Sequence, residues 1–274
     1  MRSCEQWVRT QRFSGPYPGE TVHAHYVQHR FARHAHEHLV IGLVEKGVQQ
    51  YTYQGSRYRT YAGQIFFVDG GEPHTGEAAD EDGYVYRTLC LNPRVLAGIA
   101  REVTDREGLP HFCNAVITDR PLFTKLLGLH RAVGSGASTM YRESLLLEVV
   151  ADLLRTHVEP RRQSVTVGRD EVVVRQLRDY IEAHYFEDVS LTQLGTVVSR
   201  SPYHTARVFS KICGLPPHAY LESIRIQRAR ELLAAGASVV ETALAVGYPD
   251  QSHFTHRFRR HTGMTPRHYR DAGR

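Results

Sequence analysis

A plan written twice near the C-terminal end is what most constrains this chain. The segments SLTQLGTVVSRSPYHTARVFSKICG (190–214) and ASVVETALAVGYPDQSHFTHRFRRHTG (237–263) each spell a short helix, a tight turn and a second helix. In the first, Ser190 can cap the short helix, the turn follows Val198, and Ser201 can cap the next helix with Pro202 tolerated at its first position. In the second, Ser238 is the cap, Gly247 supplies the turn, and the new helix begins near Asp250 or Gln251. Between them HAYLESIRIQRARELLAAG (218–236) reads as one long helix that stops at Gly236 and holds the two units at a fixed separation. Each unit is a helix-turn-helix, so the C-terminal part is expected to be all-α.

Periodicity says which side chains these helices turn outward. Phe254 and Phe258 are four apart and should point inward. Ser252, His256 and Arg259 then lie on the opposite face, with His253 and Arg260 on one flank and Gln251 opening the helix. In the first unit Phe209 and Cys213 turn in, which sends His204, Arg207 and Lys211 outward with Tyr203 beside them. Arg pairs bidentately with guanine, a side-chain amide with adenine, and Lys with phosphate oxygens. On an arbitrary helix exposed Arg and Lys are a solvated face. Here the duplicated unit makes double-stranded DNA the expected partner, with the two second helices in successive major grooves about 34 Å apart. The charge agrees: residues 1–168 carry 19 Lys+Arg against 18 Asp+Glu, whereas from Arg200 onward the count is 12 against 5. A basic excess gathered at one end suits a polyanionic partner and predicts an affinity that falls with salt.

The same residues carry a family likeness. GYPDQSHFTHRFRRHTGMTPRHYR closely resembles the C-terminal signature of AraC/XylS-type transcription regulators, and RIQRARELL and SPYHTARVF match that family's connecting helix and first recognition helix. Thr205, Gly195 and Thr242 stand where the family has bulkier or more helix-favouring residues, and Tyr248 replaces the commoner Phe; softer packing is expected there. The resemblance implies a cupin-like N-terminal sensor for a small-molecule effector, a homodimer, RNA polymerase as a partner, and activation rather than repression.

Read from its own residues, the N-terminal part is β-rich to about residue 118. VQHRF, LVIGLVEKG, QQYTYQG, RYRTYAGQIFFVDGG and YVYRTLCL are short runs rich in Val, Ile, Tyr, Phe and Thr, with glycines 42, 47, 55, 63, 70 and 71 placed for turns. Such spacing suggests a barrel or jelly roll. RPLFTKLLGLHRAV and STMYRESLLLEVVADLLRTHV then switch to helical periodicity and form a hairpin broken at Gly134–Gly136, which either packs on the barrel or pairs subunits. EPRRQSVTVGRDE is polar and aperiodic, a linker. The expected fold class is α+β in two domains. Residues 1–158 form a cupin-like sensing and dimerisation domain, with its barrel at about 20–118 and its hairpin at about 120–157. Residues 159–171 form the linker, and 172–274 the DNA-binding domain with two helix-turn-helix units on a long helix.

RHAHEHLVIGLVEKG (33–47) places His34, His36 and His38 on alternate positions, which share a face on an extended strand. Cupins hold a metal with an HxH pair, a nearby carboxylate and a later histidine. Here His34, His36 and His74 supply the imidazoles, but Glu37 comes too early and Glu45 too late. Three imidazoles can still hold Zn²⁺ or a related ion; they can equally contact an effector directly or be structural. Arg87 is a candidate partner for an anionic effector, Tyr51 and Tyr53 are candidate pocket residues, and His23, His25 and His29 read as surface residues. No cofactor is called for beyond that possible metal.

The remaining composition excludes rather than selects. An apolar fraction of 41% and a charged fraction of 23% are those of a globular chain. No apolar run approaches a membrane span, and the first residues lack the apolar core of a secretory signal. Cys4, Cys90, Cys113 and Cys213 lie far apart with no CxxC pair, which points to a reducing cytoplasm. The expectation is a cytoplasmic DNA-binding regulator and not an enzyme. A cupin metalloenzyme with a helical appendage would explain the histidines but leave the duplicated motif without a purpose. A barrel that only pairs subunits is the other alternative.

Overall fold

A computed structural model of the chain describes residues 6–15, 17–104, 111–112, 114–159 and 168–272. Strands β1 (Trp7–Phe13), β2 (Gly19–Tyr26), β3 (Phe31–His34), β4 (Leu39–Tyr53), β5 (Ser56–Tyr61), β6 (Ile65–Val68), β7 (His74–Ala78) and β8 (Tyr84–Leu91) precede a helix, α1 (Pro93–Thr104). Short strands β9 (His111–Phe112) and β10 (Val116–Ile117) lead to the helices α2 (Arg120–Gly134) and α3 (Thr139–Thr156), and β11 (Val158–Glu159) pairs back onto β9. The main path runs β1-β2-β8-β4-β6-β10, and β3, β7 and β5 join through β4.

The long strand β4 belongs to both halves of this sheet. Leu39 to Leu43 pairs with β6 and β8, and Val48 to Tyr53 pairs with β5. Gly47 makes the passage: its φ is +72°, and a Cβ there would sit 2.1 Å from the Gly83 carbonyl oxygen. Every residue from Leu39 to Val44 is buried, because both faces are covered. Val40 and Val44 face inward with Tyr86 of β8, while Leu39, Ile41 and Leu43 face outward against α1, α2 and α3. The helical hairpin therefore packs on the barrel, through Leu122, Leu126 and Leu129 of α2 and Leu146, Val149 and Val150 of α3. Met140 and Tyr141 at the start of α3 remain exposed.

Several expectations shift. The first strand starts at Trp7, ahead of residue 20, and α1 interrupts the stretch read as all strand, burying Leu96, Ile99 and Ala100 on the outer core. VQHRF is a bend up to Phe31. Gly42 lies inside β4 rather than in a turn, where the Phe66 ring occupies the space a side chain would need. The expected linker falls largely on 160–167, outside the described residues, and helix α4 (Arg169–Ala183) already begins within it. Cys90 and Cys213 are free thiols; Cys4 and Cys113 lie outside the described residues.

The C-terminal part is helical: α4, α5 (Leu191–Val197), α6 (Pro202–Cys213), α7 (Pro217–Ala234), α8 (Val239–Ala245), α9 (Gln251–Thr262) and α10 (Pro266–Asp271). The long helix α7 spans two cores. Tyr220 and Ile224 pack with Phe209 and with Val174, Leu177 and Ile181 of α4. Farther along the helix, Ile226, Ala229 and Leu233 pack with Phe254 and Phe258. That second core is continuous with the inner face of the barrel, so the second helix-turn-helix unit closes the open side of the β domain. No helix among the described residues is long and apolar enough to cross a membrane.

Candidate DNA-binding face and effector cavity

The two helix-turn-helix units are punctuated alike. Ser190 and Ser238 cap α5 and α8 with capping boxes completed by Gln193 and Glu241. Ser201 and Asp250 cap α6 and α9, each accepting from the backbone N–H three residues on. Both second helices end in a left-handed glycine, Gly214 and Gly263. The residues marked as departures lie in the interior of the two units, and the buried Thr205 and Tyr248 hydroxyls have no hydrogen-bond partner among the described residues. Thr205 and Thr242 are fully buried, and a Cβ on Gly195 would stand 2.6 Å from the Arg200 carbonyl oxygen.

Phe209, Phe254 and Phe258 are fully buried, as the periodicity predicts, and Cys213 is half-buried. Tyr203, His204, Arg207 and Lys211 on α6, and Gln251, Ser252, His253, His256, Arg259 and Arg260 on α9, are all exposed. Arg207, Lys211, Arg259 and Arg260 make no ion pair among the described residues. Arg200 and Arg257 instead reach Asp170 at 2.9 Å and Glu222 at 3.5 Å. Unneutralised cations on two capped helices give the face its positive potential. The flank of α9 meets the barrel: burial and the Arg259 cation hold His29 down to about 4.

Between the barrel's inner face and the second unit lies a cavity open to solvent, with about 880 Å³ of empty space when its mouth is counted. Its apolar wall comes from Phe31, Tyr51, Phe66 and Tyr86 of the barrel and Met264 beyond α9. Its polar wall holds His34, His36 and His74 from the barrel and Arg230 and His261 from the helical part. His34 and His74 are cross-strand partners in β3 and β7, and their rings are 4.4 Å apart; His36 lies 4.7 Å from His74. Because β3 stops at His34, the alternation does not continue to His38, and His74 takes the third place. Burial pushes His34 and His36 well below the usual imidazole range, and His74 down to about 4. The three rings are therefore neutral at physiological pH.

Arg87 does not line this cavity. Tyr86 and Thr88 of β8 face it, so Arg87 points to the other side, where it donates to Glu45 at 2.7 Å. Tyr51 is a cavity wall, whereas Tyr53 accepts from the Asp69 amide outside it. The reading of His23, His25 and His29 as surface residues fails for His25 and holds only in part for the half-buried His23 and His29. His25 is buried, His23 bonds Glu45 at 3.1 Å, and His29 packs edge-on to Phe31.

One interdomain cluster escaped the sequence reading. Glu20 of β2 accepts from Arg230 of α7, Tyr269 of α10 and Arg12 of β1, and Tyr26 donates to the Thr262 carbonyl oxygen. Burial raises the Glu20 carboxyl, but the Arg230 cation, the Tyr269 hydroxyl and the Arg12 cation outweigh it and hold it below its ordinary value. A faint signal was present: Arg230 shares a helical face with Ile226 and Leu233, where a charge needs a partner.

Comparison with known proteins agrees with this arrangement. Residues 17–150 match the family model of the AraC-like ligand binding domain, and residues 194–272 match that of a helix-turn-helix domain. The uncharacterized HTH-type transcriptional regulator YbfI of Bacillus subtilis is 31% identical over 228 residues, covering 83% of this chain and 82% of its own. The HTH-type transcriptional activator RhaS of Salmonella arizonae is 26% identical over 262 residues, covering 89% of each. Among solved structures, fatty-acid-bound ToxT from Vibrio cholerae shares the fold, with a TM-score of 0.60 at 13% identity over 98% of this chain and 97% of that one. A ligand-binding β domain closed by a duplicated helix-turn-helix, with 31% identity to a transcriptional regulator across most of its length, places this chain in the AraC family of DNA-binding transcription regulators.

Proposed function

We propose that the effector of this regulator binds in the cavity between the barrel and the second helix-turn-helix unit, and that α6 and α9 carry the operator contacts. The observation that carries this reading is the double origin of the cavity wall: His34, His36 and His74 come from one domain, Arg230 and His261 from the other. A ligand touching both alters the free energy of their arrangement, and a differential affinity for two arrangements is what linkage requires. On α6, Tyr203, His204, Arg207 and Lys211 face DNA; on α9, Gln251, Ser252, His253, His256, Arg259 and Arg260 do so. Arg207 and Arg259 read base edges, and Lys211 and Arg260 anchor to phosphate. The protein acts in the cytoplasm as a homodimeric activator that engages RNA polymerase. The activator role is supported by the name of the RhaS relatives, and the pairing surface by exposed Met140 and Tyr141 on the hairpin.

The test is selection of duplexes from a random library, followed by anisotropy titration at several salt concentrations. Arg207→Ala and Arg259→Ala should each weaken the selected duplex roughly 5- to 150-fold, by loss of about 1–3 kcal/mol. Unchanged affinity in both variants would remove α6 and α9 from the interface.

A further inference from the structure

His34, His36 and His74 each offer one ring nitrogen, and these three atoms lie within 4.8 Å of one another. The opposite side of every ring is already committed. Nδ1 of His34 is 2.7 Å from the Ala32 carbonyl oxygen, Nδ1 of His36 is 2.9 Å from that of His38, and Nδ1 of His74 is 3.0 Å from that of Glu72. A carbonyl oxygen can only accept, so each Nδ1 carries the proton and each Nε2 is left with a lone pair. Backbone carbonyls that fix tautomer and ring orientation in this way are the usual outer partners of metal-binding histidines.

Three lone pairs aimed into one small space repel one another, and none has a donor among the described residues. A carboxylate cannot relieve them, since it brings no proton. A polyol would need its hydroxyls spread over separate acceptors, whereas these acceptors are gathered about one point. A single cation satisfies all three. Tetrahedral zinc with bonds of about 2.0–2.1 Å to nitrogen places its ligands about 3.3 Å apart, which small side-chain rotations reach from the observed spacing. The all-nitrogen donor set favours zinc and its first-row neighbours over calcium or magnesium. Glu37 does not complete the set, because its carboxylate is turned to Gln227 at 2.7 Å.

We propose that His34, His36 and His74 bind one divalent transition metal, zinc foremost, and that its open coordination position faces the interdomain cavity and receives an oxygen or nitrogen of the effector. The metal half stands on the histidine geometry alone; the effector half rests on the cavity reading above. His261, in the last turn of α9, has its ring 5.6 Å from that of His34, so an occupied site sits directly against a recognition helix.

The experiment uses the full chain, stripped with a chelator, dialysed and titrated with Co²⁺. Intense visible absorption should saturate at one equivalent and be displaced by Zn²⁺. His36→Gln and His74→Gln should weaken cobalt binding roughly 100-fold or more, and His218→Gln, on an exposed turn of α7, should leave it unchanged. X-ray absorption on cobalt-loaded wild type counts imidazole ligands without relying on a variant that folds: three are expected, and one or none overturns the site. Excess azide should shift the spectrum by entering the open position; an insensitive spectrum overturns the effector half. Absence of stoichiometric cobalt binding, or binding that survives both His→Gln variants, overturns the metal half. Duplex anisotropy on the same samples reports on the regulator reading separately, since DNA binding can persist without metal and metal binding without DNA.

Discussion

His130 shows how a single side chain sets the pH response. It lies in α2 with 3% of its surface exposed, and its Nε2 has no hydrogen-bond partner. Burial, reinforced by the Arg87 cation and by His23, lowers it from 6.5 to about 3. The folded state thus keeps the ring neutral while the unfolded chain takes up a proton below pH 6.5. For a lowered folded pKa, the stability is fully present above the unfolded value and erodes as pH falls toward the folded one. Between pH 7.5 and pH 5 this residue alone removes about 2 kcal/mol. His130→Leu, close in volume, deletes that proton uptake. Its advantage in urea unfolding free energy over the parent should therefore grow by about 2 kcal/mol from pH 7.5 to pH 5; a constant offset would mean His130 is solvated. His29 and His74 are lowered to about 4 by burial and add a slope of the same sign.

At the scale of elements, the two helix-turn-helix units differ at one informative turn position. Nine residues after the capping serines, Ser199 and Gly247 both have positive φ, +52° and +80°. Gly247 has no choice, since a Cβ there would meet the Phe186 carbonyl oxygen at 2.5 Å. Ser199 is exposed and carries the left-handed strain of an ordinary residue. Ser199→Gly should therefore stabilise the first unit by about 0.5–1 kcal/mol in thermal or urea unfolding, with duplex affinity unchanged; a loss of stability would show that the serine compensates its strain. Caps, turns and inward aromatics made these units legible in sequence because each depends on residue chemistry a few positions apart. Helix α1 was not, although Asn92 accepts from the Arg94 amide at its start, because its short apolar pattern continues a strand-rich stretch. His34, His36 and His74 were legible as a set, but His74 came by analogy with other barrels. Only the β3–β7 pairing brings it to His34. Arg87 failed for the opposite reason: a strand residue's face depends on register, and the cavity lies on the other side of β8.

The whole molecule is held by contacts that no local pattern encodes, and their centre is Glu20. Its carboxylate receives Arg230 of α7 and Tyr269 of α10 together with Arg12 of its own sheet, and Arg12 also donates to the Tyr269 carbonyl oxygen at 3.1 Å. The Arg230 guanidinium borders the interdomain cavity as well, so the tie between domains and the cavity wall share one cation. Removing the carboxylate leaves Arg230 and Arg12 without their common anion in a site only partly open to water, which is costlier than losing an exposed pair. Glu20→Gln should loosen the second unit from the barrel while leaving each folded. Amide hydrogens of α10 and the second half of α7 are expected to exchange about tenfold faster, with α6 unchanged because its core is formed with α4 and the first half of α7. Acid should do the same to the parent. Since the folded Glu20 pKa lies below its ordinary 4.5, the tie is fully present above that value and is lost as pH falls through the lowered one. Hydrogen exchange that accelerates equally in α6 and α10 would show the variant unfolding as a whole. Exchange unchanged in both would show that the shared apolar core alone holds the domains together.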